Sequence, residues 1–187
     1  MDKSGLIPIS NINEEFLKNN TDQATPAGTA FTAESIASKI FILEIQSLVA
    51  PTIFGYPQRK TLGLDINRLQ IIAAVLSKFT DTNLSSFDIH LNIACGQKSQ
   101  DTSSDMAVAA SLIASRNNII IPRNTLFIGE IGLGGEIKPV KNLEAKIKEA
   151  GKLGFTRIFI PKCQKDKANS PNFIENVKEL ERILKHI

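Results

Sequence analysis

Between Ile40 and Val49 the chain reads Ile-Phe-Ile-Leu-Glu-Ile-Gln-Ser-Leu-Val, almost continuously apolar with Glu44 and Gln46 as exceptions. That pattern predicts a strand buried on both faces. The period then changes: Leu69, Ile72, Ala73, Leu76 and Phe79 recur at three- and four-residue steps behind Asp65, which predicts a capped helix. Phe87, Ile89, Leu91, Ile93 and Cys95 alternate with Asp88, His90 and Asn92, a strand with one wet face and His90 on it. Ser103 or Ser104 starts a second helix through Ala107, Ala110, Leu112, Ile113 and Ala114, whose small side chains suit close packing. A short strand at Leu126 to Ile128 leads into glycines 129, 132, 134 and 135. Asn142 is placed to cap a third helix with Leu143, Ile147 and Ala150 inward, and Arg157 to Pro161 reads as a further strand. Ser170-Pro171 predicts the start of a last helix, with Ile174, Val177, Leu180 and Leu184 as its apolar stripe.

Strands and helices thus alternate, which predicts a layered α/β domain, a mixed sheet covered by helices. Residues 1–30 are rich in turn formers and read as a linker or N-terminal arm, leaving 31–187 as one domain. A hydrophobic fraction of 42% and a charged fraction of 22% belong to a globular chain. The polar N-terminus offers no secretory core, and every apolar run is interrupted well before membrane-spanning length, so a cytoplasmic protein without membrane contact is expected. A net charge of +3 permits an acidic or nucleic-acid partner without demanding one. Cys95 and Cys163, with only His90 and His186 beside them, show no metal-ligand spacing; no metal site is expected, and both thiols are expected reduced and buried.

Several residues carry possible chemistry. The glycines at 129–135 resemble a dinucleotide fingerprint only superficially, because Glu136-Ile137-Lys138-Pro139 follows instead of a helix; a tight β-turn is expected. Asp65 and Asp105 open helices, where capping accounts for them. Ser103 and Ser104 precede an Ala-rich helix and serve equally well as capping hydroxyls. Arg59, Lys60, Arg68 and Lys138 are candidates for phosphate contact, a role that charge fills with little sequence preference; the alternative is a merely solvated surface. Lys162, Lys165 and Lys167 are read as solvated.

Four stretches in fixed order carry a resemblance: Leu43-Glu44-Ile45-Gln46-Ser47-Leu48-Val49, Gly63-Leu64-Asp65-Ile66-Asn67-Arg68-Leu69, Ser103-Ser104-Asp105-Met106-Ala107-Val108, and Gly129-Glu130-Ile131-Gly132-Leu133-Gly134-Gly135-Glu136-Ile137-Lys138-Pro139-Val140. With Ile158-Phe159-Ile160-Pro161 downstream, the chain resembles, over roughly residues 5 to 187, the C-terminal Lon-protease-like domain of the RadA (Sms) family of bacterial DNA repair and recombination factors. Departures are Pro57-Gln58-Arg59-Lys60 in place of a Pro-Arg-Arg run, and Lys138 in place of an arginine. Gly5 to Asn11 looks like the connector that follows the family's ATPase core, so Met1 is expected to match an internal position of a longer protein. The four-cysteine zinc motif, the phosphate-binding loop and the Lys-Asn-Arg-Phe-Gly motif of that family are absent from this sequence. The resemblance therefore implies ATP, Mg and Zn only for regions outside this chain, with no cofactor and no enzymatic activity here.

The resemblance also implies a Lon-type fold, whose proteolytic versions use a serine nucleophile and a lysine base. Aligned on the family's motifs, Ser103 takes the nucleophile position and Glu144 the base position. Lys146, two residues along the helix, is expected to swing about 200° to another face. A carboxylate at 144 adds negative charge where an oxyanion would develop, so the dyad is read as degenerate. What the resemblance then implies is a non-proteolytic scaffold in DNA repair and homologous recombination. It would bind single-stranded or branched DNA through Arg59, Lys60, Arg68 and Lys138, self-associate, and serve a branch-migration ATPase, with a recombinase among the partners to consider. The competing readings are a Ser-Lys peptidase using Ser103 and the remnant of a broken gene.

Overall fold

Side-chain alternation along the central strands divides the apolar residues into two layers, one on each side of a sheet. The computed structural model describes residues 25–37, 39–53, 55–167 and 172–187. In chain order it contains β1 (Thr29–Ile36), β2 (Lys39–Pro51), β3 (Arg59–Leu62), α1 (Ile66–Phe79), β4 (Phe87–Ile93), α2 (Asp105–Asn117), β5 (Thr125–Phe127), β6 (Glu130–Ile131), β7 (Ile137–Lys138), α3 (Leu143–Lys152), β8 (Arg157–Pro161), β9 (Asn172–Ile174) and α4 (Val177–Leu184). Seven strands form a mixed sheet in the order β3-β4-β2-β1-β5-β8-β9, and β6 and β7 make a separate hairpin. The β1-β2 and β2-β4 pairs are antiparallel; β3-β4, β1-β5, β5-β8 and β8-β9 are parallel.

On one side Ala30, Leu43, Ile45, Ile89, Leu91, Phe127 and Phe159 pack with residues of α1, α2 and α4. On the other, Phe31, Ala33, Ile42, Leu126, Ile128, Ile158 and Ile160 pack with Leu143 and Ala150 of α3. Stacked Phe127 and Phe159, 5.1 Å between centroids, tie β5 to β8 within the first layer. Helix α2 is buried without interruption from Asp105 to Ala114, and its alanines let it lie between the sheet and the neighbouring helices α1 and α4. Helix α3 covers β1, β5, β8 and the first part of β2 and leaves the rest of β2, together with β4 and β3, open; Leu48, Lys60, Leu62 and His90 are exposed there.

The α/β architecture and most elements are those predicted. The Asp65 carboxylate caps α1 by accepting from Arg68 N at 3.0 Å, His90 is exposed on β4, and the glycine cluster forms the tight β6-β7 turn, closed by Gly132 N to Glu136 O at 2.9 Å. Strand β1 was not legible because its buried positions include Thr29, Thr32 and Glu34; it starts at Thr29, inside the segment read as an arm. Arg59 and Lys60 lie on the edge strand β3, where no strand was read from the sequence. Ile174 belongs to β9 and not to the last helix, which begins after Asn176, whose Oδ1 accepts from Glu179 N at 3.0 Å. Ser170-Pro171 and the Gly5 to Asn11 connector lie outside the described residues. Asn142 holds the N-cap position of α3 in a left-handed conformation, with no capping bond from its side chain.

Gly28 fixes the entry into β1: its φ is +87°, its carbonyl accepts from Ser47 N at 2.8 Å, and a Cβ there would collide with Ser47 O and Ser115 Cβ. Gly28→Ala is expected to lower unfolding free energy by about 2 kcal/mol or more, read by urea denaturation; a loss below about 0.5 kcal/mol would contradict this packing.

Candidate functional site

The segment between β4 and α2 builds the site. Asp101 Oδ1 accepts from Ser103 N at 3.0 Å and caps the 3-10 turn Thr102–Ser104, which runs directly into α2. This turn directs Ser103 inward, where it is fully buried and its Oγ donates to Ala33 O of β1 at 3.3 Å. From the opposite side comes α3, whose sheet-facing positions are Leu143, Lys146 and Ala150, spaced by three and four residues. Lys146 is also 0% exposed, and its Nζ lies 2.7 Å from Ser103 Oγ and 2.5 Å from Asp101 Oδ2.

This arrangement corrects the expectation that Glu144 fills the base position while Lys146 turns elsewhere. Glu144 is exposed, and Lys146 is the residue that meets Ser103. The 200° rotation between the two residues is real, but it carries Lys146 from the solvent side to the inner side. Placement between Leu143 and Ala150 is the signal in the sequence that marks Lys146 as inward.

Proximity alone does not make a dyad, because a general base needs a free lone pair. Lys146 donates to both oxygens, so its ammonium is shared between a carboxylate and the serine hydroxyl. Burial pushes the Asp101 carboxyl up, but hydrogen bonds from Lys146 and the Ser103 amide, with the lysine's charge, outweigh it and hold the group below its ordinary range. Ala33 O, 3.3 Å from Ser103 Oγ, is an acceptor within reach of the serine hydroxyl.

A second buried carboxyl adjoins this cluster. Glu34 of β1 accepts from Ser99 Oγ and from Gln100 N, the latter at 3.1 Å. Ser99 Oγ is 2.8 Å from Ser104 Oγ, which donates to Asp101 O at 3.1 Å. Burial raises the Glu34 pKa; the bonds from Ser99, Gln100 and Ser104 lower it in part, and nearby Asp101 raises it further, leaving it above the ordinary value. The two serine hydroxyls are therefore tertiary links and not helix caps: Ser104 occupies the N-cap position of α2 without a capping bond. Asp101, Ser99 and Glu34 went unrecognised, since polar residues in a loop and a short strand carry no periodic signal.

The basic candidates are not brought together. Arg68 pairs with buried Asp105, Nε to Oδ1 at 2.8 Å, and donates to Ile131 O at 3.1 Å, while Asp105 also accepts from Ile131 N at 3.1 Å. Asp105 thus joins α1, α2 and the β6-β7 hairpin, a larger part than capping. Arg59 donates to Leu84 O at 2.7 Å and to Phe87 O. Lys138 is 3.4 Å from Glu136 on a half-exposed surface, and Lys60 is exposed, pointing to the opposite face of β3 from Arg59. Cys163, expected to be buried, is an exposed free thiol. Among the described residues no group of three or more His, Cys, Asp or Glu could hold a metal, and no helix is long and apolar enough to cross a membrane.

Lys146→Met strands Asp101 and is expected to cost about 3 kcal/mol, at the low end for a buried pair because Asp101 keeps some exposure. Glu144→Gln should stay within about 0.5 kcal/mol; equal losses in the two variants would contradict the assignment. Because the Glu34 pKa is raised on folding, the folded state binds more protons above the ordinary carboxyl range, and stability declines as pH rises through that window. Glu34→Gln should remove that share of the decline in urea midpoints as pH rises above the ordinary carboxyl range; parallel curves for the two proteins would refute it.

Comparison with known proteins places this geometry in a family. Residues 52–164 match the family model described as subunit ChlI of Mg-chelatase. DNA repair protein RadA of Rickettsia bellii is 40% identical over 96% of this chain, that of Rickettsia prowazekii 39% over 99%, and that of a Synechocystis species 38% over 88%. The chain covers 39%, 41% and 32% of those relatives, so it spans about two fifths or less of their length. With more than half of its residues under the ChlI model and nearly all of them aligned to RadA proteins, the chain belongs to the family that model describes and is a homologue of part of DNA repair protein RadA.

Proposed function

We propose that this chain acts in DNA repair and homologous recombination in the cytoplasm, as a non-proteolytic, Lon-like scaffold and DNA-binding domain of a RadA-type branch-migration ATPase. The DNA repair part of this reading rests on the relatives. Its non-proteolytic part rests on one observation: the lysine beside Ser103 is ion-paired to Asp101 and donates to the hydroxyl instead of accepting from it. ATP hydrolysis, with its nucleotide, Mg and Zn, would belong to regions outside this chain. The domain would self-associate and work beside a recombinase.

DNA contact in this reading falls to Lys60 and Lys138, since Arg59 and Arg68 are committed to acceptors within the chain. Fluorescence anisotropy with single-stranded and forked DNA should show affinity that falls as salt rises from about 50 to 200 mM. Lys60→Gln and Lys138→Gln should each reduce the salt slope by roughly 0.7 on single strands. A monomer with no DNA affinity at low salt would end the proposal.

The 2.7 Å approach of Lys146 Nζ to Ser103 Oγ favours a second reading, a Ser-Lys peptidase in which Asp101 must first release the lysine. A serine-reactive fluorophosphonate separates the two: the scaffold reading expects the same negligible labelling in the native chain and in Ser103→Ala. Labelling lost only in Ser103→Ala would favour the peptidase.

A further inference from the structure

The open half of the sheet carries an apolar groove that the Ser103 cluster does not account for, with Lys60, the residue also offered to DNA, on its floor. It has a volume of about 840 Å³ and runs over β2, β4 and β3, with residues 26–29 as one wall. Strand register sets two rows across its floor: Leu48, His90 and Lys60 in one, Gln46, Asn92 and Leu62 in the other. Strand β3 ends the sheet and pairs only with β4, so its outer backbone edge is free of strand partners among the described residues. Two of the exposed large apolar side chains among the described residues, Leu48 and Leu62 at 61% and 70% exposure, lie on this floor. Such clustering marks an interaction surface.

We propose that β3 and this groove form a docking site for an extended acidic peptide of a partner protein, which adds a strand to the β3 edge. Backbone hydrogen bonds to the free edge would supply affinity, and alternate side chains of the peptide would meet Leu62 and Lys60. Charge sets the chemistry of the partner: Lys60 faces the groove, the Arg59 guanidinium is turned to the carbonyls of Leu84 and Phe87, and no Asp or Glu lines the groove. A nucleic-acid strand fits less well, because the groove offers one free lysine and no Phe, Tyr or Trp on which bases would stack. A lysine on an edge strand also discourages unwanted pairing, but that role alone does not account for exposed Leu48 and Leu62 in the same groove.

The test uses the full chain as bait for a phage-displayed library of random peptides of about eight residues, a length typical of strands. Enriched sequences should alternate apolar and other residues, with Asp or Glu among the latter. A synthetic winner should bind at least tenfold more weakly to Leu62→Asp and several-fold more weakly to Lys60→Glu, both surface changes whose folding is checked by circular dichroism. The same peptide N-methylated at alternate backbone nitrogens should lose at least tenfold, a loss that helical or purely side-chain binding along one face would not share. Failure to enrich any sequence, apolar residues at three- and four-residue spacing, tolerance of N-methylation, or binding unchanged in the two variants would each overturn the proposal. So would self-association of the chain that Leu62→Asp abolishes.

Discussion

The shared ammonium of Lys146 is the contact on which the arrangement of this domain turns. It joins α3, on one side of the sheet, to the segment that leads into α2, with the lysine fully buried and Asp101 partly so. A pair of this kind contributes little net stability relative to apolar packing, yet breaking it is costly. Its effect is to fix geometry. The inner face of α3 is thin, with Leu143 and Ala150 fully buried and Ile147 partly so, and the ion pair sets which face of the helix turns inward.

The same contact explains why likeness to a serine-lysine protease misleads in both directions. Alignment by motif placed an acid opposite the serine and removed the lysine; the folded chain restores a lysine at hydrogen-bonding distance. Function nevertheless depends on the direction of the hydrogen bond. With Asp101 as second acceptor the lysine is placed as a donor to Ser103, and Ala33 O lies 3.3 Å from the serine oxygen. In the proposed reading the three residues that look like a catalytic set act as a clasp.

Legibility in the sequence followed the strength of local periodicity. The alternation of β4 and the stepped leucine and isoleucine positions of α1 each encode one dominant environment, and the structure has them as expected. The apolar run of β2 does form a strand, but it is buried on both faces only around Ile42 to Ile45, and Leu48 is exposed on the open half of the sheet. Strand β1 does not, because buried Thr29, Thr32 and Glu34 break the pattern that burial normally writes. Arg68 looks like any surface arginine until Asp105, far away in sequence, is brought to it. Lys146 was hidden by a reasonable prior, that lysine faces water, although its spacing from Leu143 and Ala150 already placed it on the inner stripe.

Protonation of the Lys146 side chain is the most direct measure of this account. In a chain labelled with ¹⁵N-lysine, the resonance that disappears in Lys146→Arg should be that of a charged ammonium at neutral pH, slow to exchange with water and perturbed by Asp101→Asn. A neutral amine at that position, exchanging freely and indifferent to Asp101, would contradict the account and return Ser103 to the role of nucleophile.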